Sequence, residues 1–182
     1  YLHKHTTDRT PADLPPAQPL EISEILLTPE NLAITHEALS EVLQDFEHFS
    51  KVELDEQSIQ LVVRPGRTNF IDHYRTLTYT CIEELIKNAK DAMPEGGKLE
   101  ISAKIDGNSI VLTFTDTGVG MSAETLQKAL AGGFTTKRSG TGRGLSLVRD
   151  YFEKILKGKM MVTSNEGRGT KIVISLPRGK SS

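Results

Sequence analysis

The sequence predicts an α+β fold: a two-layer sandwich in which a mixed, mostly antiparallel sheet carries helices on one face. Two pairs of short alternating segments are joined by tight turns, 98–106 to 109–116 and 159–164 to 170–176. Stretches with apolar residues at helical spacing lie between the strand segments rather than in a separate block, and that order favours one sheet covered by helices. At 182 residues, with 37% hydrophobic and 25% charged content, the chain can build one core and has an ordinary globular composition.

Residues 1–19 hold four of the eight prolines among polar residues without any period, which predicts a linker or extended arm. Residues 20–178 are the expected domain and 179–182 a tail. Leu20, Ile22, Ile25, Leu26 and Leu27 form a short apolar block that stops at Pro29. Asn31 is placed to cap a helix running to about Ser50, on the spacing of Leu32, His36, Leu39, Leu43, Phe46 and Phe49. Alternating Ile59, Leu61 and Val63 predict a strand that ends at Pro65-Gly66. A long helix is expected from about Asp72 to Met93, with Leu77, Cys81, Leu85 and Ala89 on one stripe, stopped by the turn Pro94-Glu95-Gly96-Gly97. Strands 98–106 and 109–116 meet at Gly107-Asn108. A short helix around 123–131 and another over 145–156 precede the second hairpin. No internal repeat is visible.

Four short blocks carry the chemistry. In the first, Glu84, Asn88 and Asp91 stand at i, i+4 and i+7 and share a helix face. A solvated face has the same spacing. An Asn carbonyl oxygen is also a hard ligand suited to Mg²⁺ holding phosphate oxygens, and a carboxylate one turn earlier can accept a proton or orient water. In the second, Asp116 ends the apolar strand and Gly118 and Gly120 follow it. A carboxylate in a partly buried cleft there can accept from the exocyclic amine of adenine, and glycines let the backbone approach a flat ligand. Asp-Thr-Gly is equally good turn chemistry.

The third block is Phe134-Thr-Thr-Lys137-Arg-Ser-Gly140-Thr141-Gly142-Arg143-Gly144-Leu145. Its glycines lead directly into a helix, so backbone N–H groups and positive side chains can gather round phosphates. The spacing is neither a dinucleotide fingerprint nor a P-loop, and a plain surface loop is the alternative. In the fourth, Thr170 enters the last strand through Gly167-Arg168-Gly169 and can offer a hydroxyl to a base.

Taken together and in this order, the blocks from about Tyr79 to Pro177 resemble the catalytic ATP-binding domain of sensor histidine kinases. More broadly they resemble the superfamily that includes DNA gyrase B, HSP90 and MutL. The Glu84–Asn88 helix is similar to the N box, Asp116–Gly120 to the first glycine box, Phe134–Lys137 to the F box and Gly140–Leu145 to the second glycine box. The resemblance implies the Bergerat-type ATP-binding fold, with ATP and Mg²⁺ as ligands. Asn88 would coordinate the metal, Asp116 read the adenine amine and Glu84 act as base or orient water. Gly140, Gly142 and Gly144 would wrap the phosphates under a mobile lid of residues 122–143. Lys137 would approach the γ-phosphate, Thr170 support the base and Phe134 anchor the hinge. Asp91 departs from the commoner pattern and its role stays open.

The resemblance also implies partners: a histidine-bearing dimerisation domain of the parent protein and a response-regulator receiver domain. His36-Glu37 has the dipeptide of a phosphoacceptor, yet only one helix fits before the strand at 58, so His36 and His48 read as helical surface histidines. A serine kinase of the same fold, a hydrolysing clamp and a non-catalytic nucleotide sensor are the alternatives. A net charge of −2 gives no footing for nucleic acid. The single Cys81 fits a reducing cytoplasm and reads as a packed core thiol. No apolar run reaches the ~18 residues of a span, so no membrane contact by this part is expected. Starting at Tyr1 without methionine, the chain is expected to be part of something longer.

Overall fold

The computed structural model describes residues 34–68, 70–132 and 144–178. In chain order they form β1 (Ile34–Ala38), α1 (Leu39–Glu56), β2 (Ile59–Arg64), β3 (Phe70–Tyr74), α2 (Arg75–Asp91), β4 (Gly97–Asp106) and β5 (Ser109–Asp116). Then come α3 (Ala123–Ala131), α4 (Gly144–Asp150) with a π-helical turn over Tyr151–Ile155, β6 (Lys159–Asn165) and β7 (Gly169–Pro177). Five strands make the main sheet in the order β2-β4-β5-β7-β6. Only the β2–β4 pair is parallel; β4–β5, β5–β7 and β6–β7 are antiparallel. The mixed, mostly antiparallel sheet of the α+β sandwich is therefore present.

The strand pattern is a burial pattern. Along β5 every second residue is buried: Ile110, Leu112, Phe114 and finally Asp116. Across the sheet Ile101 pairs with Phe114 and Phe114 with Ile172, while Leu112 pairs with Ile174, which pairs with Met160. One pleated face is thus a continuous apolar surface, and the intervening Thr113, Thr115, Ser175 and Lys171 point the other way with partial or full exposure. Helices cover the apolar face with their own stripes: Leu39, Val42, Leu43 and Phe46 from α1, Leu77, Cys81, Leu85 and Ala89 from α2, Val148 from α4. Each fully buried Leu or Ile in this interface contributes about 1.5–3 kcal/mol. Cys81 is 1% exposed and burial pushes its thiol up, as fits a packed core thiol.

Two expected helices begin later than their patterns suggest. Residues 34–38 are strand rather than helix, and α1 starts at Leu39 and continues past Ser50 to Glu56. His36 accordingly lies on a strand. Residues 70–74 are also strand, so α2 begins at Arg75 rather than Asp72. The reason is the same in both places. β1 and β3 pair antiparallel, Ile34 opposite Tyr74 and Ala38 opposite Phe70, and ladder bonds between segments about 36 apart in sequence outweigh local helical spacing. The expected cap Asn31 lies outside the described residues, and Ala38 at the actual N-cap makes no side-chain cap bond. The C-terminal helix is regular only to Asp150, beyond which the π-turn widens it. No helix among the described residues is long and apolar enough to cross a membrane.

A polar chain runs through the core between the β1–β3 ribbon and the helices. His73 is 1% exposed, and its Nδ1 lies 2.9 Å from Thr78 Oγ1, which lies 2.6 Å from the Tyr151 hydroxyl. The Tyr151 oxygen in turn meets the backbone N–H of Tyr74 at 3.2 Å. On the other side His73 Nε2 stands 3.6 Å from Glu37 Oε2, near enough for attraction but too long for a full hydrogen bond. Glu37 is held by Arg75, whose Nη1 donates to both carboxylate oxygens at 2.7 Å. The Nε2–H tautomer suits this surrounding: it points its proton at Glu37 and leaves Nδ1 to accept from Thr78, which accepts from Tyr151.

Burial holds the His73 imidazole below its ordinary 6.5, against the opposing pull of Glu37. Because the folded value is depressed, the unfolded chain takes up the proton first. Stability is full above pH 6.5 and is lost as pH falls from 6.5 towards the folded value. Urea titrations of the wild type should show a slope of up to about 1.4 kcal/mol per pH unit in that window, and His73→Gln should flatten it. Identical pH profiles for the two proteins would show that His73 is not buried neutral.

Candidate functional site

Asp116 sits where the inward row of β5 runs out. It is the fourth residue of a buried series whose first three are apolar, and it is 9% exposed. Burying a carboxylate is costly unless donors meet it. Two backbone donors do: Gly118 N–H at 2.8 Å and Thr170 N–H at 3.2 Å, both to Oδ1. Among the described residues no donor reaches the second oxygen, Oδ2. Desolvation nonetheless leaves the carboxyl above its ordinary 3.8, with the two N–H bonds pulling it back.

The turn after β5 is clamped from both sides, which is where its glycines are needed. A Cβ on Gly118 would lie 2.6 Å from the Ala92 carbonyl oxygen at the end of α2. Val119 N–H bonds that same carbonyl at 2.8 Å. Gly120 has φ +68°, and a Cβ there would lie 1.9 Å from the Asn165 carbonyl oxygen. Gly167 N–H closes the other side on Val119 O at 2.6 Å. The loop therefore sits between the end of α2 and the β6–β7 turn, with no room for a side chain at Gly118 or Gly120.

Thr170 contributes twice. Its N–H holds Asp116, and its hydroxyl meets Ser164 Oγ at 2.9 Å. Ser164 also accepts from Met121 N–H at 2.8 Å, so one hydroxyl joins β6, β7 and the loop after Gly120. Sequence reasoning missed Ser164, because a serine on an alternating strand carries no signal until its neighbours are known. Gly169, at φ +83°, lies against the Asp116 backbone, where a Cβ would be 2.0 Å from the Asp116 carbonyl oxygen.

The other end of the site lies along α2. Glu84 and Asn88 are half-buried on that helix and Asp91, its last residue, is exposed. The Glu84 carboxylate lies over Gly144 at the start of α4: a Cβ on Gly144 would be 2.1 Å from Glu84 Oε1. Leu145 follows, packed against the core. The fold thus brings the first helix block to the beginning of the glycine-led helix, and the second block to the fourth. Phe134, Lys137, Gly140, Thr141, Gly142 and Arg143 lie outside the described residues. Within the expected lid, α3 is capped by Ser122, whose Oγ accepts from Thr125 N–H at 3.2 Å, and it has no buried residue.

No group of three or more His, Cys, Asp or Glu side chains could hold a metal among the described residues. A magnesium ion held mostly by substrate phosphates and waters needs only one or two protein oxygens. The Asn88 carboxamide, one turn from Glu84 on the face that meets α4, fits that requirement.

Residues 73–180 match the model of the histidine kinase-, DNA gyrase B- and HSP90-like ATPase family. Sporulation kinase E of Bacillus subtilis is 36% identical over 51% of this chain, which corresponds to 13% of that protein. The histidine protein kinase DivJ of Caulobacter vibrioides is 33% identical over 75% of the chain and 24% of its own length. The chain thus spans a quarter or less of these two relatives. Among solved structures, the nucleotide-free catalytic domain of the histidine kinase ThkA superposes with a TM-score of 0.71 at 23% identity, covering 80% of this chain and 96% of that one. Full-length ShkA in complex with AMPPNP superposes at 0.67 with 17% identity, covering 82% of this chain and 32% of that one. The chain belongs to the family of histidine kinase-, DNA gyrase B- and HSP90-like ATPases, and it is built in the fold of the histidine kinase catalytic domain.

Proposed function

We propose that this domain binds Mg²⁺–ATP and hands the γ-phosphoryl group to a histidine on a dimerisation domain of the parent protein, from which a response-regulator receiver domain is phosphorylated. One observation carries the nucleotide reading: Asp116 has one oxygen held by two backbone N–H groups and the other unclaimed among the described residues. A pinned carboxylate with a spare acceptor suits the adenine 6-amino group and rejects guanine, which presents a carbonyl there. The kinase reading is supported by family membership and by the kinase names of the relatives.

In this reading the base lies against Asp116 while the phosphates run towards α2 and the start of α4. Asn88 would hold the magnesium ion, which when bound neutralises phosphate charge during transfer. Glu84, beside Gly144, would accept the proton of the attacking imidazole or orient it. Thr170, fixed by Ser164, would support the base.

Asp116→Asn keeps the shape but turns an acceptor oxygen into a donor nitrogen. ATP affinity should fall about ten- to a hundred-fold, the worth of a charge-assisted hydrogen bond of about 1.5–3 kcal/mol. Calorimetry that finds ATP and GTP bound equally by the wild type would sink the adenine assignment.

Glu84 and Asn88 should separate chemistry from binding. Glu84→Gln should leave Mg²⁺–ATP affinity within about two-fold and slow phosphoryl transfer to the dimerisation domain by about a hundred-fold or more. Asn88→Ala should weaken Mg²⁺–ATP more than metal-free ATP. A Glu84→Gln protein that loses affinity but transfers at the normal rate once saturated would remove the base role.

A further inference from the structure

Two contacts between α2 and α4 stand a few turns apart. At one end the Glu84 carboxylate covers Gly144. At the other the Tyr151 hydroxyl meets Thr78 Oγ1 at 2.6 Å. The two points are six residues apart on α2 and seven apart along α4 and its π-turn, so the helices run antiparallel with both ties separated by about 9–10 Å of helix rise.

Tyr151 and the next residue, Phe152, are 1% and 0% exposed. A π-turn begins at Tyr151, and single π-helical turns are frequent at functional sites. A phenylalanine would fill the same apolar space. The hydroxyl instead donates to Thr78 Oγ1 and accepts from the backbone N–H of Tyr74 at 3.2 Å, with the Tyr74 carbonyl oxygen also 3.2 Å away. Those partners belong to α2 and to the strand residue that precedes it, so the bond ties α4 to the rigid α2 side of the sandwich.

We propose that Tyr151, through Thr78, is a positioning residue for the phosphate end of the nucleotide site. It sets the axial register of α4 against α2, and so the height of Gly144 and Leu145 relative to Glu84. This rests on the reading that Glu84 and the start of α4 face the phosphates. Apolar contacts between the helices resist separation but are non-directional. The bonds of the Tyr151 hydroxyl to Thr78 and to Tyr74 N–H are directional and resist sliding, and a slide of one residue rise, about 1.5 Å, would shift Gly144 from its place under the Glu84 carboxylate. Asp116 stands on the sheet and is held by β7 and its own loop, so the adenine end does not depend on this register.

The experiment compares both ends of the ligand. Mg²⁺–ATP affinity is read by calorimetry, and adenosine binding by the amide shifts of Gly118 and Thr170. Tyr151→Phe should weaken Mg²⁺–ATP by about five- to twenty-fold while adenosine changes less than about two-fold, as expected when reacting groups are misplaced by around 1 Å. Thr78→Val should weaken Mg²⁺–ATP in the same direction while sparing adenosine, Thr78→Ser should keep wild-type affinity, and the double variant should be no worse than Tyr151→Phe alone. Ile110→Val, buried at the far end of β5 from Asp116, gives a matched loss of stability and should leave both affinities alone. If Tyr151→Phe does not fold, the Thr78→Val and Thr78→Ser pair makes the same comparison. Unchanged ATP affinity, or ATP and adenosine falling together, overturns the positioning role and leaves the nucleotide reading intact. A wild-type chain that binds neither ligand overturns both.

Discussion

The pleat of β5 is the constraint from which the rest follows. Its two-residue period sends Ile110, Leu112 and Phe114 into the core, and the next inward position falls to Asp116. Once that carboxylate is inside, it must be met by donors, and two segments are shaped to deliver them. The turn after the strand folds back so that Gly118 N–H reaches Oδ1, and β7 enters beside it so that Thr170 N–H does the same. Both approaches are too close for a Cβ, which is why Gly118, Gly120 and Gly169 flank them. The adenine end of the proposed site is therefore the place where an apolar row ends in a charge and the surrounding backbone has closed in to hold it.

A second buried polar feature has a different character. The His73–Thr78–Tyr151 chain does not face the proposed ligand; it joins the β1–β3 ribbon, α2 and α4 behind it. Apolar packing supplies most of the stability here and tolerates small slides, whereas hydrogen bonds of 2.6–3.2 Å fix position. At its outer end the chain meets Glu37 and Arg75, and Arg75 also donates to Tyr79 at 2.9 Å while standing 4.8 Å over its ring. Asp45 on α1 takes a bond from the same Tyr79 hydroxyl. The elements upstream of the family match, β1 and α1, are thereby wired to the helix that carries Glu84 and Asn88.

The upstream part is structural as well. The family match begins at His73, yet β2 pairs in parallel with β4 and completes one edge of the main sheet, and α1 buries Leu39, Val42 and Leu43 in the common core. Cutting the chain at the start of the match would leave β4 with an unpaired edge and the core without one of its helices.

How much of this was legible beforehand depends on the range of the interactions involved. The hairpins of β4–β5 and β6–β7, the α2 stripe and the glycine-walled blocks come from local periods and turn chemistry, and each was readable from neighbouring residues alone. Asp116, Thr170, Glu84 and Asn88 were marked as a set by type and order. The starts of α1 and α2 were not readable, because β1 and β3 exist only through pairing with each other across an intervening helix and strand. Ser164, Thr78 and Tyr151 carry no signal as single letters; they matter because folding brings three segments within hydrogen-bond reach of each. The sequence by itself determined the layers and the residue types of the proposed site, since these depend on period and side-chain chemistry. Only the tertiary structure decided which atoms meet, since contact between segments tens of residues apart is a property of the packed core.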